Sequence, residues 1–465
     1  MQSKNHTPRQ RNRRLWRAVL IGAAILLLSS AVFGLEALHA RQQAAIAELR
    51  MVIAEHAPDT AVPEPRTSPA PTPAPAAPEA QADAAEDPWL ALNEALPKWD
   101  WANIIWEKEV AERTPEDWAW IRVLLLEHQE ALSTLRQLLE AGEPLGIPRS
   151  PFDSPSPLLA GSRLMARVLK EQTILLVREG NMEGAVDSLL VLHQLASAMH
   201  AESGLLPYLV ALAIDGIAHA TLEEAFPPGS LRPPHLERVI TVLAGTDHRQ
   251  ALTHALSTNA YDELELFAMV RGGENLWADS PKITARVGGF LLASPLGRPF
   301  VNRDEAGFSQ LMTRYLEVAP LPYHEALPRL EALAQDYEHL ARTRPITGII
   351  LDYMERLYEI AARSEALNDL AQLGLLLESH DAEHGAYPER LEELAPGLGR
   401  GVPVDPFSGA PYLYESGEDG FLLYSVGRNQ QDNGGHHHLR NADIVWRGRW
   451  RTIARNLGFA EAGRE

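Results

Sequence analysis

Two spacings of apolar residues divide this chain. From Pro88 to about Ala341 they recur three and four apart, the period of helices that bury one face. Near the C-terminus the pattern changes to aromatic and β-branched-rich runs, Tyr412–Ser416 and Phe421–Val426. These flank Gly417-Glu418-Asp419-Gly420, whose glycines tolerate the positive φ of a short hairpin loop. A lone hairpin is marginal in water and needs cover. The helix just before it supplies a stripe of the right spacing: Leu367, Leu370, Leu373, Gly374 and Leu377. That helix is expected over 346–384, with some irregularity, Gly385 as its C-cap and Pro388 barring continuation. Asp405-Pro406 and Ser408-Gly409 predict turns, through fixed φ at proline and permissive φ at glycine.

Within the helical region, Thr114-Pro115-Glu116-Asp117 is a helix start, expected to run to Gly142, with a Pro-rich loop over 143–157. The segment 158–226 predicts three helices broken near Gly180-Asn181 and Gly204. Arg178–Ala185 looks like a tetratricopeptide-type turn, but without a second copy an ordinary helical hairpin is the better reading. Further helices are expected over 234–244, 249–270, 304–318 and 324–342, with 271–303 a long loop. Trp89, Trp99, Trp101, Trp106, Trp118 and Trp120 crowd the start of this region, and core packing is preferred to a ligand platform.

Residues 1–17 carry Lys4, Arg9, Arg11, Arg13, Arg14 and Arg17 and no acid, and Ala18–Leu35 follows without a charge. As a helix that run spans ~27 Å, enough for a bilayer core. The positive-inside rule puts the N-terminus in the cytoplasm and the bulk of the chain outside it, as a single-pass protein of a bacterial inner membrane with a periplasmic C-terminus. A cleaved signal peptide is the rival reading. Over 36–56 a helical extension is expected. Leu35, Leu38, Gln42, Ala45, Leu49 and Val52 follow heptad spacing, so a homodimer through 35–52 stands beside a helix resting at the membrane surface. The Pro/Ala-rich stretch 57–87 reads as a linker reaching up to ~90 Å.

Composition narrows the chemistry. The 465 residues carry a formal net charge of −20 and no cysteine, which argues against nucleic-acid partners and removes disulfides and thiolate metal sites. No G-x-S-x-G, H-E-x-x-H or phosphate-cradling glycine loop is found, so no catalytic residues are assigned and an enzyme is not expected. His380 and His384, four apart with Asp381 and Glu383 nearby, are a weak zinc pair, and the consecutive His436, His437 and His438 cannot all turn to one ion.

The order H-G-x-Y-P, L-x-x-L, D-P-x-x-G-x-P-Y-x-Y, Y-S-x-G and N-A-D-I carries a resemblance. Here these are His384, Gly385, Tyr387, Pro388; Leu391, Leu394; Asp405, Pro406, Gly409, Pro411, Tyr412, Tyr414; Tyr424, Ser425, Gly427; and Asn441–Ile444. The stretch resembles the C-terminal part of the major pseudopilin of type II secretion systems. The resemblance implies a long helix with a short antiparallel sheet, and a loop after Y-S-x-G that folds around calcium. The ligands it implies are the Val426 carbonyl, Asn429, Asp432 and Asp443, with Asn429 standing where the family usually has aspartate. The family's leader-peptidase site is not found, so ordinary incorporation into a pseudopilus is not expected.

The expected architecture is mainly α: transmembrane helix 18–35, helical extension 36–56, linker 57–87, helical domain 88–345, a pseudopilin-like α+β head 346–446 and a basic tail 447–465. The leading functional expectation is a membrane-anchored, extracytoplasmic interaction protein linked to a type II secretion or type IV pilus-like assembly, with Tyr412 and Asp443 expected to matter for partner binding. The alternatives are a helical peptide- or protein-binding scaffold capped by the head, and a metal-dependent envelope hydrolase using His380 or His384.

Overall fold

The computed structural model describes residues 40–57, 88–95, 108, 110–145, 147, 157–276, 278, 283–417, 420–436 and 443–446. The basic segment 1–17, the apolar segment 18–35, the linker from 58 to 87, Trp99, Trp101, Trp106 and the tail 447–465 lie outside them. What is described is mainly helical and ends in a small antiparallel sheet.

Helix α1 covers 40–56, and its apolar face is not left at a surface. Of the heptad residues, Ala45 and Leu49 are buried and Val52 packs against the main core, with Ile53 buried beside them, while Leu35 and Leu38 lie outside the described residues. After α2 (Pro88–Ala95), Thr114 opens α3 (Pro115–Glu127) as its pattern predicts. Its hydroxyl accepts the Asp117 N–H, and the Asp117 carboxylate accepts the Thr114 N–H. The single helix expected to Gly142 is in fact two, because His128 leaves helical geometry at φ −110° and ψ 13° before α4 (Gln129–Ala141). Neither proline nor glycine announces that break. Of the tryptophans crowding the start of this region, Trp89 and Trp118 are buried, the latter with the Arg113 and Arg178 guanidinium groups over its ring at 5.2 and 4.7 Å, while Trp120 is exposed.

Helices α5 (Pro157–Arg178), α6 (Met182–Ala201) and α7 (Leu205–Ala225) pack on one another, broken at the expected glycines. Helix α7 is long and apolar enough to cross a membrane, but its burial among its neighbours is that of a core helix. Helices α8 (Pro233–Ala244) and α9 (His248–Gly272) follow. The expected long loop 271–303 is corrected: it holds α10 (Ile283–Ala293) and the first turns of α11 (Arg298–Val318). Its paired glycines, Gly288 and Gly289, sit inside a helix, where propensity alone would not place them. Helix α12 (Tyr323–Ala341) precedes a second correction. The helix expected over 346–384 is divided into α13 (Pro345–Ile350) and α14 (Met354–His384), with Gly385 capping α14 at φ 74°.

The head is built on α14. A 3-10 turn (Leu391–Leu394) and α15 (Ala395–Leu398) lead to β1 (Leu413–Gly417), β2 (Gly420–Ser425) and β3 (Ile444–Val445), antiparallel in that order. Tyr414 pairs with Leu423, and Ser425 with Ile444. Leu370, Leu373 and Leu377 are fully buried beneath the sheet, as their spacing predicts. Asp405 is the hub: its carboxylate accepts from the Phe407 and Val426 N–H groups and from the Ser425 and Ser408 hydroxyls, joining the D-P turn to the Y-S strand. The head is also docked on α12, where the His324 N–H donates to the Pro406 carbonyl at 2.9 Å and Tyr323 packs on Phe407. One apolar core therefore runs from Leu49 through Phe267 and Phe308 to Leu423 and Trp446, across the boundary expected at 345 and 346. A second core gathers Trp89, Leu135, Leu169 and Leu195.

Candidate functional site

Asp247 caps α9 by accepting the Arg249 and Gln250 N–H groups, and so fixes His248 as the first residue of that helix. Beside it opens a cleft of about 770 Å³ between the helical body and the head, with Asp247–Gln250 on one wall, Glu365, Asn368 and Asp369 of α14 on another, and Arg400 and Val402–Val404 of the head on a third. Arg249 donates to Glu365 at 2.7 Å, and Arg400 to Asp369 at 3.1 Å. Tyr412 donates its hydroxyl to the other Asp369 oxygen at 3.0 Å. Burial nevertheless pushes the Asp369 carboxyl up to about 7, because Arg400 and Tyr412 offset only part of the lost hydration and Glu365 adds like charge.

Behind His248 lies a polar cluster inside the helical body. His193 and His200 stand two turns apart on α6, Asp215 and His219 one turn apart on α7, and all are buried with His248. His200 Nε2 is 2.7 Å from Asp215 Oδ2, and His248 Nδ1 stands 4.0 Å from the same oxygen. Burial would raise Asp215, but the His200 hydrogen bond and the surrounding imidazoles outweigh it and bring the carboxyl down to about 2. Burial brings His193 and His248 down to about 4, so both rings are neutral near pH 7. Among the described residues, His200 Nδ1, both ring nitrogens of His248 and the Tyr208 hydroxyl have no hydrogen-bond partner. The sequence reading passed over this cluster because its members come from three helices. The available signal was the pair of spacings, H-x6-H and D-x3-H, on helices otherwise apolar on that face.

The residues expected from the resemblance fall elsewhere. Asp432 and Asp443 meet in the loop after β2, where Asp432 accepts from the Tyr424 hydroxyl and the Gly434 N–H, and Asp443 from the Asn433 and Gly435 N–H groups. Burial and the charge of Asp432 hold the Asp443 carboxyl above its usual range, although the Gly435 and Asn433 N–H bonds act the other way. Asn429 binds Asn433 at 2.8 Å, and the Val426 N–H is taken by Asp405. The donor set, two carboxylates and an amide oxygen around one turn, fits a hard cation as well as an Asx-held turn. His437 and His438 lie outside the described residues.

His380 and His384 stack at 4.2 Å, and each Nδ1 is tied to a backbone carbonyl, of Ala386 and His380 respectively. That is a helix ending held by side chains. Tyr412 and Asp443 are each 3% exposed, so a change at either would reach a partner through the fold of the head. No protein-family model, curated protein or solved structure matches this chain.

Proposed function

We propose that this chain is a membrane-anchored, extracytoplasmic interaction protein whose partner surface lies on the helical body, with the pseudopilin-like head serving as a structural cap. Anchoring is supported by the basic segment 1–17 and the uncharged run 18–35. The observation that carries the interaction reading is an apolar patch at the α10–α11 corner. Val287, Phe290, Leu291, Leu296 and Phe300 are each more than half exposed there, whereas Phe226, Phe267, Phe308 and Phe407 are buried. Apolar groups gathered at one place on a surface mark a binding site more often than a chance exposure. The cap role is supported by the shared core and by the docking of the D-P turn on α12. In the head, calcium would be held by the Val426 carbonyl, Asn429, Asp432 and Asp443, and would tie the end of β2 to the segment entering β3.

A second reading gives the contact to the head, within a type II secretion or type IV pilus-like assembly. Strand β1 favours it, being an edge strand whose Glu415–Gly417 stretch is exposed and pairs only with β2 among the described residues. The two are separated by placing a photo-crosslinking residue at Phe290 or at Glu415 in the full-length protein in its native membrane. Capture of one defined protein from position 290 and none from 415 supports the first reading. Capture from 415 alone overturns it in favour of the second, and lipid adducts at 290 would show that the patch faces the bilayer, which overturns it as well.

A further inference from the structure

We propose that His200, Asp215 and His248 form a structural binding site for a divalent transition metal, zinc by ligand preference, that ties helices α6, α7 and α9 together beneath the cleft. One ring nitrogen from each histidine and one Asp215 oxygen lie within 4.8 Å of one another. Ligand atoms about 2.1 Å from a tetrahedral ion sit about 3.4 Å apart, so side-chain rotations of under about 1.5 Å bring the three into a coordination sphere. Two imidazoles and a carboxylate suit zinc, and the lack of any thiolate makes a soft ion such as copper(I) a poor fit.

Hydrogen bonding supplies the second argument. A buried polar atom left without a partner costs about 1–3 kcal/mol, and native interiors rarely gather several at one point. Here His248 offers two such nitrogens, His200 one, and Tyr208 a hydroxyl, with the Tyr208 ring 5.5 Å and the His248 ring 5.8 Å from that of His200. A cation accepts lone pairs from the ring nitrogens turned toward it, while Tyr208 or a water stands where a fourth ligand is needed. The ring nitrogens left over must then meet water or a carbonyl, as the outer nitrogens of metal-bound histidines do. His248 also lines the cleft, which gives an ion a way in.

Asp215 and His248 lie far apart in sequence, on α7 and α9, so the ion would hold the start of α9 against the three-helix unit and set the wall of the cleft. Full-length protein, purified in detergent without added metal or chelator, is expected to carry about one zinc per chain by elemental analysis. After removal of zinc by a chelator, cobalt(II) should restore the lost thermal stability and give the visible absorption of a tetrahedral site. His248→Ala should lose the metal, His248→Cys should keep it through a thiolate, and His193→Gln, a buried neighbour outside the ligand set, should keep it too. Substoichiometric metal with no thermal response to added zinc would overturn the proposal, and so would metal that survives in a folded Asp215→Asn/His248→Ala double variant.

Discussion

The indole of Trp446 fills the space that a side chain at position 374 would need: a Cβ at Gly374 would overlap Trp446 Nε1. The same nitrogen donates to Glu378 at 3.3 Å, so Trp446 is fixed at two points along α14. Gly374→Ala is therefore expected to displace the indole and lower stability by about 1–3 kcal/mol, the usual range for overpacking. Trp446→Phe in the same background should recover part of that loss. A double-mutant cycle by urea unfolding, followed by tryptophan fluorescence, reads it, and additive effects would show that the two residues do not share the space.

Arg113 and Glu171 make the one bidentate pair that is buried on both sides among the described residues, with contacts of 2.5 and 3.0 Å and each side chain 2% exposed. Burial pushes the Glu171 carboxyl up even against the Arg113 charge. Removing one partner strands the other charge, so Arg113→Ala is expected to cost about 3–5 kcal/mol, while Arg113→Met with Glu171→Leu should be near neutral. Thermal unfolding of the three proteins decides this. A double variant as unstable as the single one would mean the pair does more than satisfy itself.

How much of this was legible beforehand varies with the length of the signal. Thr114, Gly142, Gly180, Gly204 and Gly385 end or begin helices where local chemistry says they must, because caps and left-handed glycines act over a few residues. The hairpin and its cover of Leu370, Leu373 and Leu377 were legible for the same reason. The breaks at His128 and at 351–353 were not, since tertiary packing imposes them on sequences that could continue as helix. Helix α10 was missed because Gly288-Gly289 argues against it locally. The His200, Asp215 and His248 cluster is non-local by nature, and no window along the chain contains it.

The loop after β2 gives a graded test. Asp432 and Asp443 bring two negative charges to one turn, and Asn429 contributes an amide where a third carboxylate would bind calcium more tightly. Calcium at millimolar concentration is expected to raise the melting temperature of the wild type modestly, and Asn429→Asp should bind it about tenfold more tightly, equivalent to about 1.4 kcal/mol. Scanning calorimetry reads the first and isothermal titration the second. Equal, negligible heats for the two proteins would leave the turn as one held by its own N–H groups, with no ion.

Acid should stabilise the wall of the cleft. Asp369 keeps its proton up to about 7 in the folded protein, chiefly through burial, while in the unfolded chain it loses it near about 3.9. Between those values the native state binds the extra proton, so its contribution to stability is complete below the lower pH, falls as pH rises, and levels off above about 7; across the window the loss is on the order of a few kcal/mol. Burial sets that shift, Glu365 adds to it, and the Arg400 and Arg249 charges and the Tyr412 hydroxyl hold it down. Asp369→Asn removes the titration and leaves an amide oxygen to accept from Tyr412, so its stability should fall less between pH 5 and pH 8 than the wild type does. Glu263, also pushed up to about 7 by burial, stays in both proteins and leaves the variant profile shallower, not flat. Urea midpoints at pH 5 and 8 measure the difference, and parallel profiles would mean that Arg400 and Tyr412 keep Asp369 ionised throughout.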